Sequence, residues 1–197
     1  MAKPDPDTER KERSRTIRWV VTIFLVTIVV SGVISLISDE VMENSGMAVA
    51  FLILLIIVMV GIIFDIIGVA VTSADEKPFH SMAARKVPGA KESIKLLRNA
   101  ERVSSICNDV VGDICGVVSG SASATIAVQV MQHFTFSTKQ VIPLVMSAMV
   151  AGLTVGGKAI GKTFAVHSCT NIVYGVGKLL YWIHHPSELF HKDRPGR

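Results

Sequence analysis

The stretch MAVAFLILLIIVMVGIIFDIIGVAV, residues 47–71, decides the fold because it is apolar except for one charged side chain, Asp65. An α-helix needs about 20 predominantly apolar residues to cross the hydrocarbon core of a bilayer. Residues 47–71 therefore predict a transmembrane helix. The whole chain has the same character, since 50% of its residues are hydrophobic, its mean hydropathy is +0.49 and 18% are charged, whereas an average soluble chain has about 25% charged residues.

Three further apolar segments predict three more membrane spans. Residues 19–37 carry no charge. Residues 105–131 contain glycine and serine at four-residue spacing, and residues 141–163 repeat that spacing with glycine. Small residues at this period allow helix backbones to approach closely. We therefore predict an all-α integral membrane protein with four transmembrane helices plus cytoplasmic juxtamembrane helices.

The ends of the chain and the first loop are polar. Residues 1–18 and residues 186–197 predict cytoplasmic tails, because both are short, charged and contain proline. Residues 38–46 are acidic and predict an outer loop. Residues 19–46 thus form an N-terminal unit of one helix and one loop.

Two polar segments interrupt the remaining unit, residues 47–185. Residues 74–104 predict a juxtamembrane helical hairpin, because Pro88 and Gly89 divide them into two short helices. Residues 164–185 predict an amphipathic helix in the membrane interface. Polar side chains are scattered through this last segment, and it ends in a tyrosine and a tryptophan, which favour the interface.

Lysine and arginine alternate along the chain between rich and poor segments. They are frequent in residues 1–18, in residues 74–104 and after residue 164, and they are scarce in the two remaining loops. Cytoplasmic loops carry the excess of positive charge. The pattern predicts a multi-pass protein of the cell membrane with both termini in the cytoplasm, and the short tails and compact loops suit a bacterial inner membrane.

The octapeptide GGKAIGKT, residues 156–163, matches the phosphate-loop pattern G-x-x-x-x-G-K-[ST]. A phosphate loop needs a strand before it and a helix after it, so that backbone N–H groups surround the phosphates. Here an apolar helical stretch precedes the octapeptide. We therefore expect no bound nucleotide, and we interpret its glycines as helix-packing residues and Lys162 as a side chain that reaches the cytoplasmic interface.

Besides Lys162 at the end of the last span, four charged residues lie inside the predicted spans, namely Asp65, Asp109, Asp113 and Lys158. Charges at this depth are costly and usually face a bundle interior or a water-filled cavity. At about 1.5 Å of rise per residue, all four fall in one layer near the cytoplasmic face.

This charged layer has three interpretations. Its oxygen atoms, with those of Ser73 and Asn108, would bind a hard cation such as Mg²⁺. Alternatively, Lys158 pairs with one or two of the aspartates as a structural lock. In the third interpretation, the charged residues are unpaired and lie at the interface.

Several motifs in this part of the chain resemble the transmembrane domain of the CorB/CorC/cyclin M (CNNM) magnesium transporters. That family has a helix that ends in a pattern like F-S-x-x-E-x-A-x-x-S, a basic connector, a helix that opens with G-N-x-x-x-N, and a later G-E-x-x-P-K-x-x-A. The matching residues are Phe64, Ala70, Ser73, Lys86, Ala90, Leu96, Arg102, Asn108, Gly157, Lys162 and Ala165. The similarity covers residues 47–185.

The resemblance implies a three-span core that works as a dimer and binds Mg²⁺ between its helices, with residues 19–37 as an added helix. The candidate metal-binding residues are Ser73, Asn108, Asp109, Asp113, Asp65 and Gly157. The chain departs from the family pattern at Gly68, Cys107, Lys158 and Gly161. The glutamate that helps to hold the ion is replaced by Lys158, and the family's tandem cytoplasmic regulatory domains have no counterpart.

These observations predict a protein of the CorC/CNNM type that transports magnesium or another divalent cation. The alternative is a non-transporting scaffold or regulatory relative in which Lys158 replaces the bound ion. We expect no catalytic residues and no enzyme activity, because neither a Ser-His-Asp arrangement nor a zinc motif is legible. The expected partners are the lipid bilayer, a second copy of the chain and an unidentified membrane or cytoplasmic protein, but no nucleic acid.

Overall fold

The computed structural model describes residues 6–43, 45–133 and 141–185, and within these ranges every regular element is a helix. The helices are α1 (Pro6–Glu43), α2 (Met47–Ser73), α3 (Lys77–Ala84), α4 (Ala90–Arg98), α5 (Ala100–Ser105), a π-helical segment (Ile106–Val111), α6 (Gly112–His133), α7 (Val141–His167) and α8 (Cys169–His184). The predicted tail at residues 186–197 lies outside the described residues.

Within these described ranges, four helical stretches are long and apolar enough to cross a membrane: Ser14–Met42, Met47–Ser73, Ala100–Gln132 and Val141–His167. The third of these combines α5, the π segment and α6. The prediction of an all-α chain with four span-length helices is thus confirmed. Membrane insertion and the side on which the termini lie stay predictions.

Helix α1 extends further than the sequence predicted at both ends. It begins at Pro6 and ends at Glu43, so it includes most of the predicted tail and most of the predicted outer loop. The polar residues that flank the apolar stretch are rich in glutamate, lysine and arginine. These residues favour helix, and they continue the helix that the apolar stretch begins.

The juxtamembrane segment contains three short helices instead of the predicted two. The break at Pro88 and Gly89 is present, and Gly89 has a positive φ of 86°, a conformation that glycine adopts without steric cost. A second break lies at Asn99, whose φ of −114° and ψ of 28° leave the helical region. The side-chain amide of Asn99 donates a hydrogen bond to the carbonyl of Lys95 at 2.9 Å, which ends α4.

Helix α2 lies at the centre of the bundle and packs against α6 and α7 along its length, and against α5 and α8 as well. One buried cluster joins α1, α2, α6 and α7; its members are Met42, Ala50, Leu54, Val58, Ile62, Ala122, Ile126 and Val150. A second cluster joins the Ser73 end of α2 to the short helices; its members are Ala70, Val71, Phe79, Leu97, Ala165 and Val173. The short helices therefore form a layer at one end of the bundle.

Helix α8 belongs to this layer. It has 16 residues, which gives a length of about 24 Å, short of the roughly 30 Å of a hydrocarbon core. It begins at Cys169, because α7 continues to His167, so the predicted boundary at residue 164 shifts by about one turn. Helix α8 packs closely on α4, where Gly177 faces Gly89 and Ser93.

Candidate functional site

Asp65 is the one charged residue that is buried among the described residues. It lies on α2, and 4% of its surface is exposed. Its Oδ2 atom lies 3.8 Å from Nζ of Lys162 on α7. The side chain of Lys162 is 54% exposed, so the ammonium group reaches from solvent or the interface to a carboxylate inside the bundle.

Glycines on α7 bring this helix close to α2. A Cβ atom on Gly161 would lie 2.8 Å from Cγ1 of Ile66, and a Cβ atom on Gly157 would collide with the side chain of Ile62. The two helices can approach this closely only because both positions lack a side chain. Gly157, a predicted member of the metal site, is thus a packing residue, and the close approach places Lys162 beside Asp65.

Lys158, the predicted counter-charge, points toward α6 instead. Its Nζ atom lies 3.4 Å from the position of a Cβ atom on Gly112. Among the described side chains, Lys158 is not within 4.0 Å of a carboxylate. The ion pair with the buried Asp65 is therefore made by Lys162, one turn later. Lys158 and Lys162 are separated by four residues and share a helix face, so the sequence offers both as partners of Asp65 and does not distinguish between them.

Asn108 lies in the π segment and faces α2 at Gly68. Its amide nitrogen donates a hydrogen bond to Oγ of Ser104 at 3.1 Å. Its Oδ1 atom is buried and, within the described residues, accepts no hydrogen bond. A Cβ atom on Gly68 would lie 2.8 Å from Cγ of Asn108, so the glycine makes room for this amide.

The remaining candidate residues do not join Asp65. Asp109, Asp113 and Ser73 are exposed, and Asp109 accepts a hydrogen bond from Oγ of Ser105 at 2.8 Å. Across the described ranges, no group of three or more histidine, cysteine, aspartate or glutamate residues could hold a metal ion. The structure therefore brings Asp65 and Lys162 together, and it leaves Asp109 and Asp113 on an outer face.

Two of the candidate residues have a buried oxygen atom without a hydrogen-bond partner among the described residues, namely Asp65 at Oδ2 and Asn108 at Oδ1. Most buried polar atoms in proteins are hydrogen-bonded, and an exception calls for a water, an ion or a functional reason. A π segment is also frequent at functional sites. The bundle thus holds two buried polar groups on the surface of α2, the carboxylate of Asp65 beside the ammonium group of Lys162 and the amide of Asn108 at Gly68.

The octapeptide at residues 156–163 is helical over its whole length, because it lies inside α7. The prediction that it belongs to a helix is confirmed. A phosphate loop requires backbone N–H groups in a loop between a strand and a helix. The backbone N–H groups of this octapeptide lie instead within a continuous α-helix.

No family model, no curated protein and no solved structure matches the chain. The resemblance to the CNNM transporters therefore depends on the quoted motif residues alone.

Proposed function

We propose that this chain is a non-transporting membrane protein, a scaffold or regulatory subunit, in which the ammonium group of Lys162 occupies the place of a cation beside Asp65. The observation that carries the proposal is the ion pair of 3.8 Å between Lys162 and a carboxylate that is 4% exposed. The proposal keeps the alternative that the sequence suggested but assigns the role to Lys162 instead of Lys158.

The chemistry of the layer supports this proposal. Magnesium requires nearly octahedral coordination by oxygen atoms and keeps several waters when few carboxylates are present. The site holds one buried carboxylate, that of Asp65, and the positive charge of Lys162. This charge would repel a divalent ion. The ammonium group neutralises Asp65 without a bound ion, so the pair fixes α7 against α2.

Magnesium or other divalent-cation transport is the second candidate, and one observation favours it. The Oδ1 atom of Asn108 and the Oδ2 atom of Asp65 are buried without hydrogen-bond partners in the described part of the chain. Oxygen atoms of these two types are ligands of Mg²⁺. If Lys162 turns toward the interface, where more than half of its side chain is already exposed, Asp65 becomes available to an ion.

Calorimetric Mg²⁺ titration of the purified full chain, together with Mg²⁺ flux in proteoliposomes, tests the two candidates. The variants are Lys162→Gln, Asp65→Asn and, as a matched control one turn away, Lys158→Gln. The proposal expects no saturable binding and no flux in the parent, a gain of Mg²⁺ binding in Lys162→Gln, and no gain in Lys158→Gln.

Two other results would contradict the proposed scaffold with its Lys162–Asp65 pair. Saturable binding and flux in the parent that Asp65→Asn abolishes would support transport. An equal gain of binding in Lys158→Gln and Lys162→Gln would show that general positive charge, and not the pair with Asp65, excludes the ion. The homodimer and the unidentified protein partner stay predictions in both cases.

A further inference from the structure

A cleft between α1 and α5 is lined by charged residues that have no part in the function proposed above. It is open, has a volume of about 530 Å³ and is lined by Arg15, Thr16, Trp19, Glu101 and Arg102. Two guanidinium groups and one carboxylate give it a net positive charge. Among the described side chains, neither Arg15 nor Arg102 lies within 4.0 Å of a carboxylate, and both line the open cleft.

The position of the cleft along the helices matches the boundary between a bilayer and water. The span-length part of α1 begins at Ser14, and the third span begins at Ala100. The residues that line the cleft therefore lie in the first two turns of two spans at the same end. Tryptophan is enriched at this boundary, and Trp19 is 42% exposed there.

An apolar surface continues from the cleft along α1. Val26 and Val30 follow Trp19 at helical spacing, so they share its face, and they are 48% and 37% exposed. A ligand that fills both the cleft and this surface has an anionic head and an acyl chain. A soluble phosphate compound would use the arginines but would leave the apolar face without a partner.

We propose that the cleft binds one anionic phospholipid, with its phosphate between Arg15 and Arg102, its glycerol region against Trp19 and an acyl chain along Val26. Arginine suits this role because its planar guanidinium group binds phosphate oxygens in pairs. Glu101 disfavours a second anion in the same cleft and restricts the occupant to one phosphate. The lipid would fill the space between α1 and the short helices.

Fluorescence quenching in vesicles tests the proposal on the full chain. The chain has two tryptophans, so Trp182→Phe leaves Trp19 as the sole reporter. The vesicles consist of phosphatidylcholine with a minor fraction of brominated phosphatidylglycerol or, in parallel, of brominated phosphatidylcholine. We expect the anionic lipid to occupy the site about tenfold better, because each arginine near a membrane surface contributes a several-fold attraction.

Variants separate the cleft from general surface charge. In this background, Arg15→Gln and Arg102→Gln should each lower the preference about threefold, and the double variant should abolish it. Arg85→Gln is the matched control, since Arg85 is an exposed arginine of the same layer outside the cleft, and it should leave the preference unchanged. Quenching by brominated phosphatidylcholine should stay the same in all variants, which shows that Trp19 keeps its depth.

Three results would overturn the proposal. The first is equal quenching by the two brominated lipids in the parent. The second is a preference that survives the double variant, or that falls equally in Arg85→Gln. The third is release of the anionic lipid by soluble glycerol 3-phosphate at millimolar concentration, because this would identify a site for a free phosphate compound. If the double variant loses helical circular dichroism, the two single variants decide.

Discussion

The contact of α8 with α4 supplies a sharp test of the fold, because two glycines of one helix differ in their surroundings. A Cβ atom on Gly177 would lie 2.7 Å from the carbonyl oxygen of Gly89 and 2.9 Å from the amide nitrogen of Ser93, and it would collide with the hydroxyl of Ser93. A Cβ atom on Gly175 would have no atom within 4 Å. Alanine has the same helix propensity at both positions, but its methyl group collides with α4 at residue 177 and enters open space at residue 175.

The expected size of the Gly177→Ala effect follows from these distances. Two of the colliding atoms belong to backbone, so the helices must separate by about 0.7 Å before an ordinary contact is restored, and overpacking of this kind costs about 1–3 kcal/mol. The separation also lengthens the hydrogen bond of 3.2 Å from Oγ of Ser93 to the carbonyl of Val173, at a cost of about 1 kcal/mol. Alanine recovers about 0.5–1 kcal/mol of helix propensity. The net loss is about 1–3 kcal/mol.

Unfolding of the detergent-solubilised chain, followed by thermal shift or by denaturant titration, measures this difference. We expect Gly175→Ala to be as stable as the parent or up to about 1 kcal/mol more stable, and Gly177→Ala to be the least stable of the three. Amide hydrogen exchange should be faster in α8 of Gly177→Ala alone. Equal stability and equal exchange in the two variants would refute the docking of α8 on α4.

Two further predictions concern the buried pair and the topology. Lys162→Met should destabilise the chain by about 1–3 kcal/mol, less than the loss of a fully buried pair because Lys162 is half exposed. The double variant with Asp65→Asn should recover most of that loss in detergent unfolding, whereas strictly additive losses would exclude the pairing. In a chain whose three free cysteines are replaced by alanine, Ser45→Cys and Arg85→Cys should react with an impermeant maleimide from opposite sides of the membrane. Labelling of both from one side would contradict the predicted topology.

The sequence predicted the level of residues along the bundle better than their direction around the helix axis. The depth of Asp65 follows from a fixed rise of about 1.5 Å per residue. Its partner depends on how α7 is rotated and shifted against α2, and a shift of one turn exchanges Lys158 for Lys162. The close contacts of Gly157 and Gly161 with α2 fix that register, and a single sequence does not contain it.

The π segment explains a second difference between the expected and the observed site. A π turn inserts an extra residue into a helix, so it changes the direction of every side chain that follows relative to the preceding ones. Asp109 accepts its hydrogen bond from Ser105 on an exposed face, while Asn108 points inward to Gly68. The rise per residue alone places Asp109 and Asp113 in the same layer as Asp65, and it does not show on which side of the helix they lie.

Glycine spacing alone does not show which glycines pack against another helix of the same chain and which lie on an open helix face. A second copy of the chain would bind at an open face. On α6, Gly116 and Gly120 have no atom within 4 Å of a Cβ position, and the same is true of Gly152 and Gly156 on α7. The open glycines of α6 share a helix face with Asp113, which is exposed. A symmetric contact there would place two carboxylates against each other in an apolar environment, which is costly.

The open face of α7 carries no such charge, because its neighbours at helical spacing are Met149, Leu153 and Ile160, all exposed. If the predicted homodimer forms through closely packed helices, we expect it to use Gly152 and Gly156. Replacement of both by leucine should shift the purified chain to monomer in detergent by native mass spectrometry, with unfolding of the monomer unchanged, because each new side chain enters open space. Leucine at the open glycines of α6 should leave the dimer intact. A dimer that survives the α7 replacement but dissociates with the α6 replacement would show that the carboxylates are accommodated in the interface, and it would move the contact to α6.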